Sequence, residues 1–344
     1  MSAWSSARRV WQHRSGPICQ VLRWSCAAVL TVLLVLDLAF PPPLPRQADT
    51  STLVVAADGS PLRAFADAEG VWRYPASVEA VSPLYLQALL GYEDRWFWRH
   101  PGINPVALLR AGGQLLRHGR IVSGGSTLTM QVARILEPHS RTPWGKARQM
   151  LRAVQLELHL SKREILALYL QRAPYGGTIE GVEAASWAYL GKSSARLSHA
   201  EAALLAVLPQ APSRLRPDRH PEAARQARDK VLQRMADLQH WRQDQIDDAR
   251  IEPVVTRSLR PPLHAALLAQ RLHAEHPRRA RIQSTVDIDL QRTLEARVAS
   301  YFSTLPDRTS AALLVVDNRT LQARAYVGTL AFGDRQRLGH VDMV

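Results

Sequence analysis

Hydrophobic and polar positions change texture four times along the chain. Val21 to Phe40 forms a 20-residue run that is apolar apart from a few polar positions. A helix of that length spans about 30 Å, the thickness of bilayer hydrocarbon. Arg23 and Asp37 interrupt it only near its ends, where a charge reaches the interface. The pattern predicts a transmembrane anchor over 21–40. Arg8, Arg9, Arg14 and Arg23 lie at or before its start, which places the tail, 1–20, in the cytoplasm. A clear Ala-x-Ala cleavage site is lacking before Pro41-Pro42-Pro43-Leu44-Pro45, so the run reads as an uncleaved anchor followed by a stiff proline spacer.

Residues 41–75 read as a linker with a small β element. Thr52 to Ala57 is strand-like, Asp58-Gly59 is a hairpin signal, and Pro61 to Ala66 can return as a partner strand. From Ser82 the period becomes helical. Ser82-Pro83, Asn104-Pro105 and Thr142-Pro143 read as helix starts, and Ser161-x-x-Glu164 and Ser198-x-x-Glu201 as capping boxes. In the helix from Pro143, Met150, Leu151, Val154 and Leu158 recur at helical spacing, with Lys146, Arg148 and Arg152 interleaved. Ala200 to Leu208 is an apolar helix stopped by Pro209, and Pro221 to His240 is a long charged one. The region 82–250 is therefore expected to be all-α, within a main domain over 76–250. A proline-marked linker, 251–280, holds a helix at His264–His276. Strands are expected at Arg281–Val286, Ala311–Val316 and Gln322–Val327, opening a different, α/β domain over 281–344.

Charge adds a direction. The chain has 344 residues, 46% of them hydrophobic and 22% charged, so disorder is excluded as a reading of the whole. Its formal net charge of +14 suits an anionic partner, whether nucleic acid, anionic lipid or pyrophosphate, or serves solubility alone. The two cysteines, Cys19 and Cys26, both precede or enter the anchor, which leaves the body no disulfide framework or cysteine metal site. The 12 histidines are scattered.

Three constellations could carry chemistry. Glu93-Asp94-Arg95-Trp96-Phe97-Trp98-Arg99-His100-Pro101-Gly102 joins two helices. Two adjacent carboxylates beside aromatics can raise one acid's pKa by desolvation and like-charge repulsion, which suits a general acid or base; they also suit caps or surface charges. Trp96 and Trp98 read as core aromatics, the commoner fate of such a stripe, or as lipid-facing ones. Ser123-Gly124-Gly125-Ser126-Thr127-Leu128-Thr129-Met130-Gln131, followed by Arg134, is an anion-friendly helix start or an ordinary serine-rich cap. Lys146, Arg148 and Arg152 form a basic fan able to hold a pyrophosphate, or a solvated helix face. Leu115, Leu116, Ile121 and Val122, around Gly119, read as a mobile apolar lip. Gly191-Lys192-Ser193 mimics the end of a P-loop, but Ser186 stands where its first glycine belongs.

Together these segments resemble glycosyltransferase family 51, the peptidoglycan polymerase domain of class A penicillin-binding proteins. The resemblance rests on Glu93, Asp94, Phe97, His100 and Gly102; on Gly124 through Thr127, Thr129 and Gln131; and on Lys162, Ile165, Leu166, Tyr169 and Leu170. Tyr175-Gly176, Ala184-Ala185, Tyr189 to Lys192, and Glu201 through Pro209-Gln210-Ala211-Pro212-Ser213 complete the series in family order. The resemblance implies a mainly α, lysozyme-like glycosyltransferase domain standing on the bacterial inner membrane, single-pass, with its catalytic domain in the periplasm. It implies Glu93 as the catalytic acid/base. It implies a substrate of lipid II and the growing lipid-linked glycan, held by Asp94, Ser126, Thr127, Gln131, Arg134, Lys146, Arg148 and Gln149.

No dedicated metal site and no cofactor are expected, although a divalent cation, Mg²⁺ or Mn²⁺, could share the pyrophosphate. Cell-wall synthesis proteins are the expected partners besides the membrane, and nucleic acid is not. Many members carry a second carboxylate where this chain has Gln149, so hydrogen bonding is all that position can offer. Met130 replaces a usual glutamine, and Gln171 an asparagine. Residues 281–344 resemble the beginning of a penicillin-binding transpeptidase domain, truncated at Val344 before any Ser-x-x-Lys motif, so no transpeptidase activity is expected. A lysozyme-like muramidase and a non-catalytic scaffold of a wall-synthesis complex are the alternatives.

Overall fold

The computed structural model describes residues 17–44, 51–67, 69–118, 125–140, 142–254, 262–302, 306, 309–334 and 339–344. Two compact units divide the chain, Met1–Pro43 and Leu44–Val344. The first contains α1 (Pro17–Ala39). It starts on a proline, whose fixed φ suits a first turn, and ends two residues before Pro41, which disfavours the helical conformation just ahead of it. Trp24, Val29, Val32, Val35 and Leu38 of this helix are exposed. A helix thus forms where the anchor is expected. Among the described residues, however, no helix is long and apolar enough to cross a membrane.

The second unit opens with the expected hairpin, β1 (Thr52–Val55) and β2 (Pro61–Phe65), paired antiparallel with Thr52 opposite Phe65. Asp58 closes the turn by accepting from the Ser60 N–H at 2.9 Å and the Ser60 hydroxyl at 2.7 Å. After β3 (Trp72–Arg73) the chain turns helical: α2 (Pro83–Glu93), α3 (Pro105–His118), α4 (Leu128–Leu136), α5 (Pro143–His159) and α6 (Lys162–Arg172). A small hairpin, β4 (Pro174–Gly176) and β5 (Ile179–Glu180), precedes α7 (Val182–Leu190), α8 (His199–Val207), α9 (Pro221–Asp237) and α10 (Gln243–Ile251). The remainder is α11 (Ala266–Glu275), β6 (Arg281–Gln283), α12 (Ile288–Phe302), β7 (Leu313–Val316) and β8 (Ala323–Val327).

Local chemistry sets most helix starts. Thr142 accepts from the Gly145 N–H ahead of Pro143, and Asn104 from the Ala107 N–H. Both serine capping boxes, Ser161/Glu164 and Ser198/Glu201, are closed in both directions. Ser82 precedes Pro83 as expected, but its side chain makes no cap bond. α8 is apolar all round, which suits only the centre of a domain. Seven of its nine residues are buried, and it packs against α2 and α9.

Three expectations need correction. The region 82–250 is not purely helical, because Gly176 (φ +114°) and Gly177 (φ +60°) turn the chain back to pair β4 with β5, with β3 as the third strand. The buried stripe of α5 is not Met150, Leu151, Val154 and Leu158. Gly145, Gln149, Ala153, Gln155 and Leu156 face inward, while Leu151 and Leu158 are exposed. The chain around α5 runs too close for large side chains: a Cβ added at Gly145 would lie 2.2 Å from the Ser140 carbonyl oxygen. Trp96 and Trp98 are 42% and 51% exposed, because the 3₁₀ turn Phe97–Arg99 sends Phe97 inward and its neighbours out. The apolar lip falls outside what is described: the structure of 119–124 and the side chains of Leu115 and Leu116.

β1 joins the two ends of this unit. It pairs with β2 on one edge and, in parallel, with β6 on the other, so Leu53 faces Arg281 across 228 positions of chain. Leu53 and Val55 enter the large helical core, while Val54 and Ala56 enter a second core with Leu268, Ala269, Ile282, Val286 and Tyr326. Alternate residues of a strand point to opposite faces, so an unbroken apolar run serves both cores at once.

Candidate active site

Glu93 is the last residue of α2, and Asp94 is its C-cap. Asp94 turns inward. Its two oxygens lie 3.0 and 2.9 Å from His100 Nε2, and Oδ2 also accepts from the Leu128 N–H at 2.9 Å. Thr127 caps α4 by accepting from the Met130 N–H at 3.1 Å, and its hydroxyl donates to the Gly102 carbonyl at 2.5 Å. Asp94 and Thr127 are 7% and 2% exposed and do not line the cleft that Glu93 opens on. Asp94 clamps the end of α2 to the start of α4, and Thr127 ties the start of α4 to the loop at Gly102. Asp94→Ala should therefore lower the unfolding free energy by about 3 kcal/mol, the usual scale for breaking a buried pair. A denaturant titration checks this; a midpoint equal to wild type would deny Asp94 that role.

Glu93 itself opens on a cleft of ≈ 790 Å³. Five of the expected ligand residues share its wall: Ser126, Gln131, Arg134, Lys146 and Gln149. The Lys146 ammonium donates to Ser126 Oγ at 2.6 Å and to Gln149 Oε1 at 3.1 Å. The Gln149 amide donates to the Met130 carbonyl at 2.5 Å. Gln149 is thus a neutral strut: it braces α4 with one end and steers Lys146 with the other. Arg148 does not join them. Two residues along a helix is a turn of about 200°, and Arg148 pairs instead with Glu137, which Arg152 also reaches at 2.6 Å.

Burial raises the Glu93 carboxyl above the ordinary range, and the neighbouring Asp94 charge adds to this; hydrogen bonds from Gln131 and Gln210 oppose it. Burial also lowers the Lys146 ammonium, with the Arg134 charge as second cause. An acid and a cation on one wall are therefore each moved toward neutrality.

Sequence reasoning missed His139, Arg172, Glu180 and Gln210, all on this wall. Gln210 stands in the Pro209-Gln210-Ala211-Pro212-Ser213 segment of the family series, which named the residue without giving it a role. Arg172 was legible only as the last residue of a helix whose interior carried the family pattern.

A model of the transglycosylase family matches residues 58–236. Penicillin-binding protein 1C of Escherichia coli (strain K12) is 53% identical over 326 residues, covering 93% of this chain and 42% of that protein. Penicillin-binding protein 1A of Aquifex aeolicus (strain VF5) is 40% identical over 186 residues, 54% of this chain and 26% of that one. Among solved structures, penicillin-binding protein 1A from Haemophilus influenzae is 21% identical with a TM-score of 0.35, covering 79% of this chain and 33% of that one, a likeness too loose to inform the fold. The chain spans less than half the length of these curated relatives.

Proposed function

The chain belongs to the transglycosylase family, and on that premise we propose that it is a peptidoglycan glycosyltransferase polymerising lipid II into glycan strands. One observation carries the reading: the Glu93 carboxylate opens on the same cleft as Arg134 and Lys146. In the reaction, Glu93 takes the proton of the 4-hydroxyl on the incoming N-acetylglucosamine. That oxygen forms a bond to the anomeric carbon of the lipid-linked chain, with inversion. The bond from that carbon to the diphosphate breaks, and undecaprenyl pyrophosphate leaves with the electron pair. Arg134 and Lys146 stabilise the charge that develops on it, the kind of interaction that usually dominates such catalysis. Glu93 then returns its proton to solvent.

The carboxylates on the cleft wall are committed to protein partners. Glu93 accepts from two amides, and Glu180 pairs with Arg73 at 2.6 Å. Among the described residues no cluster of three or more His, Cys, Asp or Glu is placed to hold a metal. A Mg²⁺ or Mn²⁺ ion would therefore be held chiefly by the substrate's own diphosphate. For the membrane, the sequence run Val21–Phe40 supports an inner-membrane anchor with the body outside. Exposed Val106 and Leu109 on α3, and Trp144, Leu151 and Leu158 at seven-residue spacing on α5, add apolar surface for a lipid-bound substrate.

The experiment is incubation with lipid II. Long glycan strands support the polymerase; cleavage of finished wall without strand synthesis would point to a muramidase. The pH profile should be bell-shaped. Glu93 works ionised, and its raised pKa means the base is lost, as pH falls, above the usual ~4.3 of a glutamate. Lys146 works protonated, and its lowered pKa brings the alkaline fall below the usual ~10.4 of a lysine. An acid limb at or below the ordinary glutamate range, with an alkaline limb at or above the ordinary lysine range, would contradict both assignments.

A further inference from the structure

Two amides hold Glu93, and they come from distant parts of the chain. Gln131 Nε2, in the first turns of α4, donates to Oε2 at 2.7 Å. Gln210 Nε2 donates to Oε1 at 2.6 Å across 117 positions. Gln210 ends the 3₁₀ turn Leu208–Gln210, which Pro209 imposes where α8 stops. Each carboxylate oxygen thus has one donor, and the two bonds together fix the plane of the group. An N–H aimed at a carboxyl favours its ionised form, and such bonds are about twice as strong as neutral ones.

The two amides differ in setting. Gln131 is half-buried, whereas Gln210 is exposed. An exposed glutamine ordinarily keeps its rotamer freedom, which is costly to give up. Here the carboxylate, with the Tyr92 phenol beside it, holds Gln210 over the acid.

We propose that Gln210 is a positioning residue for Glu93: with Gln131 it fixes the carboxylate's plane and keeps it a base, leaving the cleft-side lone pairs for the acceptor sugar's hydroxyl. This deepens the polymerase reading and rests on it. The other titratable groups near the acid are Asp94 beside it, Tyr85 and Tyr92 on α2, and Tyr169 on α6. The same cleft is also lined by Arg134, His139, Lys146, Arg172 and Glu180. Among the described residues, only the two amides donate directly to Glu93.

The test is Gln210→Met, which keeps length and removes the donor, read as kcat/KM of lipid II polymerisation against pH. Its acid limb should move up by about one pH unit, a tenfold loss at pH values below the limb. Its alkaline limb should stay in place, and its melting temperature should match wild type, because the side chain is exposed. Gln210→Asn, one methylene too short, should behave likewise. A Gln210→Met profile that superimposes on wild type would overturn the proposal, as would an acid limb that instead follows His139→Gln. Glu93→Gln is assayed in parallel. If it polymerises normally, the functional reading itself fails; if it is inactive while Gln210→Met matches wild type, only the role of Gln210 is lost.

Discussion

Glu93→Gln should lower strand synthesis from lipid II by about 10³-fold, within the range that a positioned general base contributes. The amide has the shape of the carboxylate but cannot take the proton of the acceptor hydroxyl. Its effect on folding should be small. The carboxyl is partly removed from water, so replacing it with a neutral group relieves desolvation, while one amide facing an N–H donor now mismatches. Electrophoresis of strands made from labelled lipid II, beside a thermal melt, measures both. A scaffold reading expects the variant to support growth as well as wild type, so full complementation in cells would sink the enzymatic assignment.

Lys146→Met should lower kcat by about 10- to 100-fold, with a smaller change in KM. The range follows from about 1.5–3 kcal/mol for a hydrogen bond to a charged group, at about 1.4 kcal/mol per tenfold. The partners of Lys146 are neutral, Ser126 and Gln149, so its charge is available to a ligand. Arg148 differs, with Glu137 already on its guanidinium. The effect belongs in kcat because the leaving diphosphate gains charge as the bond breaks, and only interactions stronger in the transition state speed the chemical step. Arg134→Gln should act alike. Single-turnover rates on a lipid-linked oligomer would report it; a Lys146→Met variant within threefold of wild type would remove the lysine from the leaving-group site.

Much of this site could be read along the chain, yet not all of the roles could. Glu93, Gln131, Arg134 and Lys146 were singled out by motif and chemistry and share one cleft. Asp94 and Thr127 belong to the same motifs but work beneath it, on backbone groups. A motif records which residues a family needs without recording whether a substrate or a neighbouring helix needs them. Arg148 was lost to helix geometry. The inward face of α5 was misread because hydrophobicity marked its larger side chains, whereas close approach selected Gly145, Gln149 and Ala153.

What the sequence determined alone is whatever acts within a few residues: the proline and capping-box helix starts, the Asp58-Gly59 turn, the apolar α8, and an acid at the end of α2. Those follow from side chains meeting their own backbone three or four positions away, so a local pattern suffices. Only the tertiary structure decided that β1 takes β6 as a partner, and that Gln131 and Gln210, 38 and 117 positions from Glu93, reach its two oxygens. Such contacts depend on how whole elements pack, and their closure cost grows so slowly with chain separation that spacing carries almost no trace of them.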